Sequence, residues 1–520
     1  MRTAVRTVSE NMPHPLLILL IGIAMLSNPQ EIGRPKLLEK PKPIFGAQYA
    51  QLPDRFYALQ SATPVVDPHW IAFNKALATE LGLDATELAT QVGLAIFAGN
   101  HTAEGTSPLA MAYSGHQFGH WNPSLGDGRA LLLGDLQTAN GQHFDVQLKG
   151  SGPTPYSRNG DGRAALGPVL REYVVSEAMH AMGISTTRAL AAVTTGEKVR
   201  RETPLPGGVI TRVAKSFVRV GTFQYFVAHD DKEGLKALAD FSIDRHEPDL
   251  KNANNPYLEL LKRVVTRQAE LIASWQLIGF IHGVMNTDNV SIAGETIDYG
   301  PCAFMDEYDP ATVFSSIDSF GRYAYQNQPR IGQWNLSVLA QSMLPILHDD
   351  EDQALALAQD AINDFSTQFD CAFRTGLLKK IGITDEQEGD YELAISLLDA
   401  MKEARADFTN TFRALSNLVL PNPDIAAAQL PLTEWINNLV RHTDGGKRVD
   451  QNLMRSVNPA FIPRNHRVEA MIQAATEGDF SLFEELMQVL ATPYEDKPVH
   501  HAYTLPPEPD ERVHQTFCGT

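Results

Sequence analysis

The chain has little of what several protein classes require. Only three of its 520 residues are cysteines, too few for the disulfide framework of a secreted domain. Lys and Arg number 43 against 62 Asp and Glu, a formal net charge of −19. This charge argues against nucleic acid and against stable membrane association, because both partners attract basic surfaces. There is no internal repeat, and the length exceeds the usual limit of a single core, which predicts several lobes.

Two common nucleotide-binding motifs are also missing. Gly126-Asp-Gly-Arg129 lacks the third glycine of a dinucleotide fingerprint, and Gly446-Lys447 lacks the spacing of a P-loop. His116-Gln-Phe-Gly-His120 has the two histidines of a helical zinc motif, but glutamine replaces the glutamate that would act as base. We therefore interpret these histidines as structural.

Residues 282–300 form the most informative segment. Asp288 and Asn289 stand side by side in a predicted loop, and Asp298-Tyr-Gly follows a short strand later. This order resembles the protein-kinase catalytic loop and its Asp-Phe-Gly, where one carboxylate steers a nucleophile. An amide oxygen and the second carboxylate hold the metal bound to the phosphates. The alternative is a turn rich in Asn and Asp between buried segments, to which this stretch alone gives equal weight.

A predicted hairpin lies upstream of that loop. An apolar strand covers residues 130–134, Asn140-Gly141 is a strong turn signal, and an alternating strand returns over residues 143–150. Lys149 stands at the end of the returning strand. A Gly-rich segment follows, and then a helical pattern covers residues 165–182.

Charged residues on these elements favour a phosphate site. In kinase-like folds, a strand lysine such as Lys149 and a helix glutamate such as Glu172 form an ion pair that fixes the ammonium beside phosphate. Arg212 and Arg219, beyond a second hairpin predicted at Pro206-Gly-Gly208, would add positive charge. Taken singly, each feature is more often a solvated side chain or an ordinary turn. Their order along the chain is what favours the site.

Long sequence blocks carry a resemblance to a known family. One block, residues 113–129, reads Tyr-Ser-Gly-His-Gln-Phe-Gly-His-Trp-Asn-Pro-Ser-Leu-Gly-Asp-Gly-Arg. The others are residues 147–158, 159–167, 219–226, 282–306 and 314–318. Through them the chain closely resembles the selenoprotein O family, also called the YdiU family, of pseudokinase-like protein adenylyltransferases. The resemblance covers nearly everything from about Phe45 to the C terminus.

The resemblance implies a fold and an activity. The fold is α+β and protein-kinase-like, with a strand-rich N-lobe, a larger helical C-lobe and extensions at both ends. The activity is transfer of AMP from ATP, with UTP as an alternative nucleotide, to Ser, Thr or Tyr hydroxyls of proteins, with release of pyrophosphate. The nucleotide is inverted relative to ordinary kinases, Mg²⁺ or Mn²⁺ is the cofactor, and regulation is by redox state.

The resemblance also assigns roles residue by residue. It makes Asp288 the proton acceptor, Asn289 and Asp298 the metal ligands, and Glu172 the partner of a phosphate-binding lysine. The implied nucleotide-binding residues are Gly126, Gly128, Arg129, Lys149, Asp161, Gly162, Arg212, Arg219 and Asp298. Two rival functions stay open, a kinase that transfers the γ-phosphoryl group and an inactive nucleotide-binding scaffold; the intact charged set disfavours the scaffold.

The positions of two cysteines bear on regulation by redox state. The family has a cysteine or selenocysteine near its C terminus, for which a bond to the loop after the metal-binding Asp is proposed. Cys518 is third from the end here and Cys302 follows Asp298-Tyr-Gly, so the resemblance implies a Cys302–Cys518 disulfide. Two unpaired thiols have at least equal weight in a reducing cytosol. We predict that Cys371 is a small core residue of a helix.

Coarse patterning divides the chain. We predict an extension over residues 1–44, a family extension over 45–108, an N-lobe over 109–220, a C-lobe over 221–491 and a tail over 492–520. Helical patterns cover residues 69–81, 257–281, 352–379 and 391–415. The apolar run within residues 15–27 is shorter than the roughly 20 residues of a membrane span but is similar to a signal-peptide core. An ATP-dependent enzyme is expected in the cytoplasm, with export or an organelle as the alternative.

Overall fold

The computed structural model describes residues 45–420, 423 and 430–517. The predicted extension over residues 1–44, with its signal-like run, lies outside the described residues, and so does Cys518. The predicted boundaries between the family extension, the two lobes and the tail stay predictions.

Strands concentrate in the first part of the described chain and helices in the rest. The strands are β1 (Tyr57–Leu59), β2 (His69–Phe73), β3 (Leu109–Met111), β4 (Gly115–Gln117), β5 (His120–Asn122), β6 (Ala130–Gln137), β7 (His143–Lys149), β8 (Ala164–Ala165), β9 (Arg188–Arg200), β10 (Pro204–Ala214), β11 (Phe280–Ile281) and β12 (Ala303–Phe304). The α-helices are α1 (Lys75–Glu80), α2 (Ala85–Leu88), α3 (Gln91–Phe97), α4 (Leu166–Ala181), α5 (Val220–Ala228), α6 (Lys232–His246), α7 (Pro256–Leu277), α8 (Gln328–Leu347), α9 (Glu351–Lys380), α10 (Asp390–Ala404), α11 (Phe408–Leu415), α12 (Leu430–His442), α13 (Gln451–Val457), α14 (Asn465–Thr476) and α15 (Ser481–Leu490). The α+β class predicted from the sequence is confirmed.

One antiparallel sheet positions the charged residues of interest. Its strands follow the order β1-β3-β6-β7-β10-β9-β2, and β8 pairs with β10. The predicted hairpin is β6–β7, and Gly141 at its turn has a φ of 84°, the left-handed conformation that tight hairpin turns need. In the register of the sheet, Lys149 lies opposite Ala130 on β6 and Ile210 on β10.

Helix α4 covers one face of that sheet. Leu170 and Val174 are completely buried in the main core, and Gly183, with a φ of 79°, follows the helix end, as is common after helices. The helix lies within one residue of the predicted range at each end. Glu172, between the two core residues, is also buried.

The long helices of the second half form a packed group. Helices α7, α8 and α9 contact one another, and α9 confirms the prediction for residues 352–379. Helix α7 confirms the prediction for residues 257–281 as far as Leu277, whereas Phe280–Ile281 forms β11. The single helix predicted over residues 391–415 is wrong. Arg405 has a φ of 50° and ends α10, and the Asp407 carboxylate accepts a hydrogen bond of 2.8 Å from the Asn410 N–H to begin α11.

Three other sequence predictions are wrong. Residues 69–73 of the predicted helix form β2, because they pair with β9, and only the later part is helical. The second hairpin forms between β9 and β10, but its turn is at residues 201–203 and not at Pro206-Gly-Gly208. Those residues lie inside β10 at a bulge, where a Cβ on Gly207 would stand 2.4 Å from the Thr195 hydroxyl. Cys371 is in a helix but is exposed.

The tail is attached to the rest of the structure. Its end forms a β-bridge between Thr516 and Ser315, and the Thr516 hydroxyl donates to the Pro301 carbonyl. Earlier in the tail, the Tyr494 hydroxyl donates to the Met182 carbonyl over 2.9 Å. The extended tail predicted from its composition therefore has defined contacts.

No helix in the described parts of the chain has the length and apolar character needed to cross a membrane.

A buried ion pair joins the sheet to the helices. Arg245 of α6 lies 2.6 Å from Asp145 of β7, with side chains 1% and 2% exposed. The Phe217 N–H donates to the second oxygen of Asp145 over 3.1 Å. Burial raises the pKa of Asp145, and Arg245 opposes that rise. Loss of the arginine would leave a carboxylate buried without its cation.

We expect Arg245→Met to lower the free energy of unfolding by about 3–5 kcal/mol, the usual cost of removing one partner from a buried ion pair. The measurement is the urea midpoint of unfolding. Arg374→Met, which removes an exposed ion pair with Glu386, is the matched control and should shift the midpoint far less. Equal shifts in the two variants would contradict the importance of the buried pair.

Candidate active site

A cleft of about 780 Å³ lies where residues of the sheet meet residues of the helical part. Its volume is within the range of small-molecule sites, about 300–1,000 Å³. All twelve residues that the sequence assigned to the nucleotide, the metal and catalysis line it: Gly126, Gly128, Arg129, Lys149, Asp161, Gly162, Glu172, Arg212, Arg219, Asp288, Asn289 and Asp298. The structure thus brings together residues that span more than 170 positions of the chain.

Three cations meet at Asp298. The Lys149 ammonium lies 3.1 Å and the Arg212 guanidinium 2.6 Å from its Oδ1. Arg219, the residue before α5, donates to its Oδ2. These cations come from β7, from β10 and from the start of a helix, so the tertiary fold, and not proximity in sequence, creates the cluster.

Glu172 is the second anion of the cluster. Its carboxylate lies 2.7 Å from the Lys149 ammonium and 3.0 Å from Arg212, so the predicted pair of Lys149 and Glu172 is present. Burial would raise the pKa of Glu172, but Lys149 and Arg212 hold it below its ordinary value. Burial is likewise overcome at Asp298, where Arg219, Lys149 and Arg212 hold the pKa well below the usual range.

Further carboxylates lie near the cluster. The three cations contact two carboxylates directly, and Arg219 also opposes the rise in pKa that burial causes at Asp127 and Asp288. Buried charges are stable only when they are paired or hydrogen-bonded. Cations held beside a cleft with restricted access to water can bind anionic groups of a ligand.

The backbone at Asp298 has an unusual conformation. Its φ is 61°, in the left-handed region that non-glycine residues seldom occupy, although Asp tolerates it better than most. The next residue, Tyr299, is 1% exposed and its hydroxyl shares a hydrogen bond with the Thr186 hydroxyl. Such strain persists where the surroundings hold the chain, and it is concentrated at functional sites. Tyr299 is therefore an anchor for the Asp298 turn.

The acidic loop forms a short 3-10 turn, Thr287–Asn289. Burial raises the pKa of Asp288 to about 6, although Arg219 opposes the rise. The Gln117 amide donates to Asp288 Oδ2 over 3.2 Å, whereas the buried Oδ1 has no hydrogen-bond partner among the described residues. Asp288 therefore combines a raised proton affinity with an oxygen, Oδ1, that is able to accept a hydrogen bond or a proton.

Asn289 and Asp298 are the residues that could hold a divalent cation. The Asn289 amide nitrogen donates to the Val284 carbonyl over 3.0 Å, which leaves the amide oxygen as the donor atom for a metal. Oxygen ligands of this kind suit Mg²⁺ and Mn²⁺. The pKa of Asp298, held well below the usual range by its three cations, keeps this carboxylate charged, so an amide oxygen and a carboxylate are present for the implied metal.

A β-hairpin that sequence reasoning missed supports the acidic turn. It consists of β4 and β5, and its backbone N–H groups donate hydrogen bonds to side chains of the acidic turn. The His116 N–H donates to the Thr287 hydroxyl over 2.7 Å, and the Phe118 N–H donates to Asn286 Oδ1 over 2.9 Å. The sequence was interpreted as carrying structural histidines in place of a helical zinc motif, and this interpretation did not predict a hairpin. The strand alternation of residues 115–122 around a Phe-Gly turn was the available signal.

Glycines close the sheet side of the cleft. A Cβ on Gly162 would lie 2.0 Å from the carbonyl carbon of Gly152, and one on Gly126 would lie 2.3 Å from the Tyr156 ring. Both glycines have positive φ, of 66° and 70°. No other residue fits these positions without moving the neighbouring loop.

Two predicted residues have other contacts. Asp161 lies on the outer part of the cleft and pairs with Arg201 at 2.9 Å, which lowers its pKa against the effect of burial. Cys302 is 1% exposed, next to β12, and is not part of the cleft lining. Its predicted partner Cys518 lies outside the described residues.

Comparison with known proteins gives a consistent family. The family model of protein adenylyltransferase SelO matches residues 42–491. The chain belongs to this family. It is 57% identical over 485 residues to the protein nucleotidyltransferase YdiU of Bradyrhizobium sp. strain BTAi1, covering 92% of this chain and 99% of that protein. The YdiU of Rhizobium meliloti strain 1021 is 56% identical over 486 residues, with 92% and 99% covered.

Within a SelO family protein, the glycine contacts give a test of the cleft. Gly162→Ala should weaken ATP binding at least about tenfold, because the clash of the methyl group with the Gly152 backbone would displace residue 162 from the cleft lining; such a change corresponds to about 1.4 kcal/mol. The measurement is isothermal titration calorimetry with ATP. Gly183→Ala is the matched control, since Gly183 also has a positive φ but nothing within 4 Å of a Cβ. Equal losses of affinity in both variants would contradict a local role of Gly162.

Proposed function

We propose that this protein transfers AMP from ATP to Ser, Thr or Tyr hydroxyl groups of proteins and releases pyrophosphate, with UTP as an alternative nucleotide. The observation that carries the proposal is the convergence of Lys149, Arg212 and Arg219 with Asp288 and Asn289 around Asp298 in one cleft. Membership of the SelO family supports AMP, rather than a γ-phosphoryl group, as the transferred unit. Mg²⁺ or Mn²⁺ is the proposed cofactor.

The proposed architecture is a kinase-like pair of lobes. The sheet with α4 corresponds to the N-lobe, since it carries Lys149, Glu172 and Arg212. The helices from α5 onward correspond to the C-lobe, with Asp288, Asn289 and Asp298 on its connecting segments. The cleft lies between these two sets of elements, as a site for a nucleotide held between two lobes requires.

Nucleotide binding is proposed to exchange counterions. Lys149, Arg212 and Arg219 now neutralise Asp298, and a triphosphate would offer them oxygen acceptors of higher charge. Asp298 would then be released to act, with Asn289, as a metal ligand. The metal, when bound, would neutralise phosphate charge. Because the three cations are already gathered at the cleft, only their contacts with Asp298 need to be exchanged when the triphosphate enters.

Asp288 is proposed to accept the proton of the acceptor hydroxyl. A new bond forms between the hydroxyl oxygen and the α-phosphorus, and the bond from that phosphorus to the pyrophosphate oxygen breaks. The proton goes to Asp288, whose pKa, raised by burial to about 6, makes it a better base than an ordinary carboxylate. Gln117 orients this carboxylate through its hydrogen bond.

Further proposals follow from the family. The partners are ATP and protein substrates, without nucleic acid or stable membrane association, and the reaction takes place in the cytoplasm, where ATP is available. A Cys302–Cys518 disulfide is proposed as a redox control. The hydrogen bond from the Thr516 hydroxyl to the Pro301 carbonyl supports this disulfide, because the hydrogen bond holds the tail beside the residue that precedes Cys302.

Two labelled forms of ATP test the transferred group. With Mg²⁺ or Mn²⁺, we expect acceptor proteins to gain label from α-labelled ATP and none from γ-labelled ATP. The measurement is radioactivity of the protein after gel separation. Label from the γ position alone would make the protein a kinase. No label from either form, with ATP still bound, would favour the inactive scaffold.

Asp288→Asn tests the proton acceptor. The amide keeps the shape of the side chain and the contact with Gln117 but cannot accept a proton, so transfer should fall by at least about 100-fold. ATP binding, measured by calorimetry, should not weaken. Asp349→Asn, at a fully exposed carboxylate, is the control for loss of one negative charge. Transfer at the wild-type rate in the Asp288 variant would rule out the assigned role.

A further inference from the structure

A second cavity adjoins the cleft on the side of the acidic turn. Its volume is about 460 Å³, and Phe118 and Ile317 line both cavities. Its wall is formed by the tip of the β4–β5 hairpin, the segment before the 3-10 turn Tyr325–Asn327, and the start of α8. A chain bound here would therefore continue directly into the space beside Asp288.

Apolar side chains are exposed along this second cavity. Phe320 is 98% and Ile317 58% exposed, which is costly unless such side chains are covered by a partner. Phe517 of the tail, 65% exposed, follows the residue that bonds to this segment. A group of exposed apolar side chains beside a functional cleft is typical of an interaction site.

The cavity is also basic, in contrast to the protein as a whole. Arg322 and Arg330 line it, and within the described residues neither forms an ion pair. Asp318 also lines the cavity, and its oxygens accept from the N–H groups of Arg322 and Tyr323 at 2.9 and 2.7 Å. Two guanidinium groups and one carboxylate leave the cavity with one net positive charge. Arg330 lies in the first turn of α8, where the helix dipole disfavours a cation. The Arg322 guanidinium lies over the Trp334 ring, 4.7 Å from its centroid, which fixes its position without neutralising its charge. In a protein with a net charge of −19, this cavity is a local attraction for acidic groups.

The hairpin tip between the two cavities has an unusual backbone conformation that its contacts hold in place. Phe118 and Gly119 have φ of 52° and 84°, and the left-handed conformation is a rare one for a bulky residue. The Phe118 ring contacts Tyr323 edge-on with 5.2 Å between centroids, and its N–H bonds to Asn286. The tip is therefore held by the same segment that carries Asp288.

We propose that the surface formed by Phe118, His120, Ile317, Phe320, Arg322 and Arg330 binds the polypeptide segment that carries the acceptor hydroxyl. The apolar members would cover a large apolar side chain of that segment, and the two arginines would pair with an acidic one. The occupant is thus a hydroxyl-bearing segment with a large apolar and an acidic residue nearby. This inference rests on the proposed function, since it assumes that a protein hydroxyl is the acceptor.

Positional peptide libraries centred on Ser, Thr or Tyr test this surface. With α-labelled ATP, the wild-type enzyme should prefer peptides that carry a leucine or phenylalanine together with a glutamate or aspartate. Phe320→Ser should raise KM for the preferred peptide about tenfold, through loss of apolar contact, and Arg330→Glu about threefold or more. KM for ATP should not change in either variant.

Matched controls replace residues of the same exposure elsewhere. Val499→Ser removes a valine that is 86% exposed, and Lys402→Glu reverses an exposed charge on α10. Both should leave peptide KM unchanged. A peptide with lysine in place of its acidic residue should restore activity to Arg330→Glu but not to Phe320→Ser, which a merely structural effect would not do.

The outcomes separate the inference from the proposed function. If the wild type labels no peptide and no protein, the proposed function fails. If peptides are labelled but show no preference, or if Phe320→Ser and Arg330→Glu behave like their controls, the function stands and the docking surface is wrong. A change of molecular mass in light scattering with Phe320→Ser, without a change in peptide KM, would instead assign the surface to contact between copies of this chain.

Discussion

One carboxylate, that of Asp298, is the contact on which the cleft depends. Lys149, Arg212 and Arg219 come from three different elements and would repel one another if Asp298 and Glu172 were absent. Burial of these cations is therefore possible only together with the two anions. The same contacts that stabilise the sheet against the helical part also hold positive charge ready for phosphate, so stability and the proposed binding use one set of side chains.

The β4–β5 hairpin gives the site its second constraint. Through His116 and Phe118 it donates hydrogen bonds to the turn that carries Asp288, and through Gln117 it contacts this carboxylate, the proposed proton acceptor. Its tip separates the cleft from the basic and apolar cavity proposed for the acceptor. Changes in the hairpin would therefore alter both the position of the proton acceptor and the docking of the acceptor segment, which links chemistry to substrate choice in one element.

Local patterns predicted some elements well and others badly, for physical reasons. The Asn-Gly turn of β6–β7 and the limits of α4 depend on local conformational preference, so they were correct. Gly207 and Gly208 also suggested a turn, but their lack of side chains instead permits a close approach to Thr195 inside β10. The break at Arg405 was missed because apolar periodicity continues through it, and only a left-handed residue and a new cap show where the helix ends.

The sequence by itself determined the kinds of chemical group, the order in which they occur and the family to which they belong. It contained the carboxylates, the amide, the lysine and the arginines of the site because these identities are written residue by residue. The tertiary structure alone decided that Asp298 is shared by three cations, that Asp288 is buried enough to raise its pKa, and that Gln117 and Phe118 stand beside it. Such properties depend on distance and on exclusion of water between residues far apart in the chain, and no local pattern encodes either.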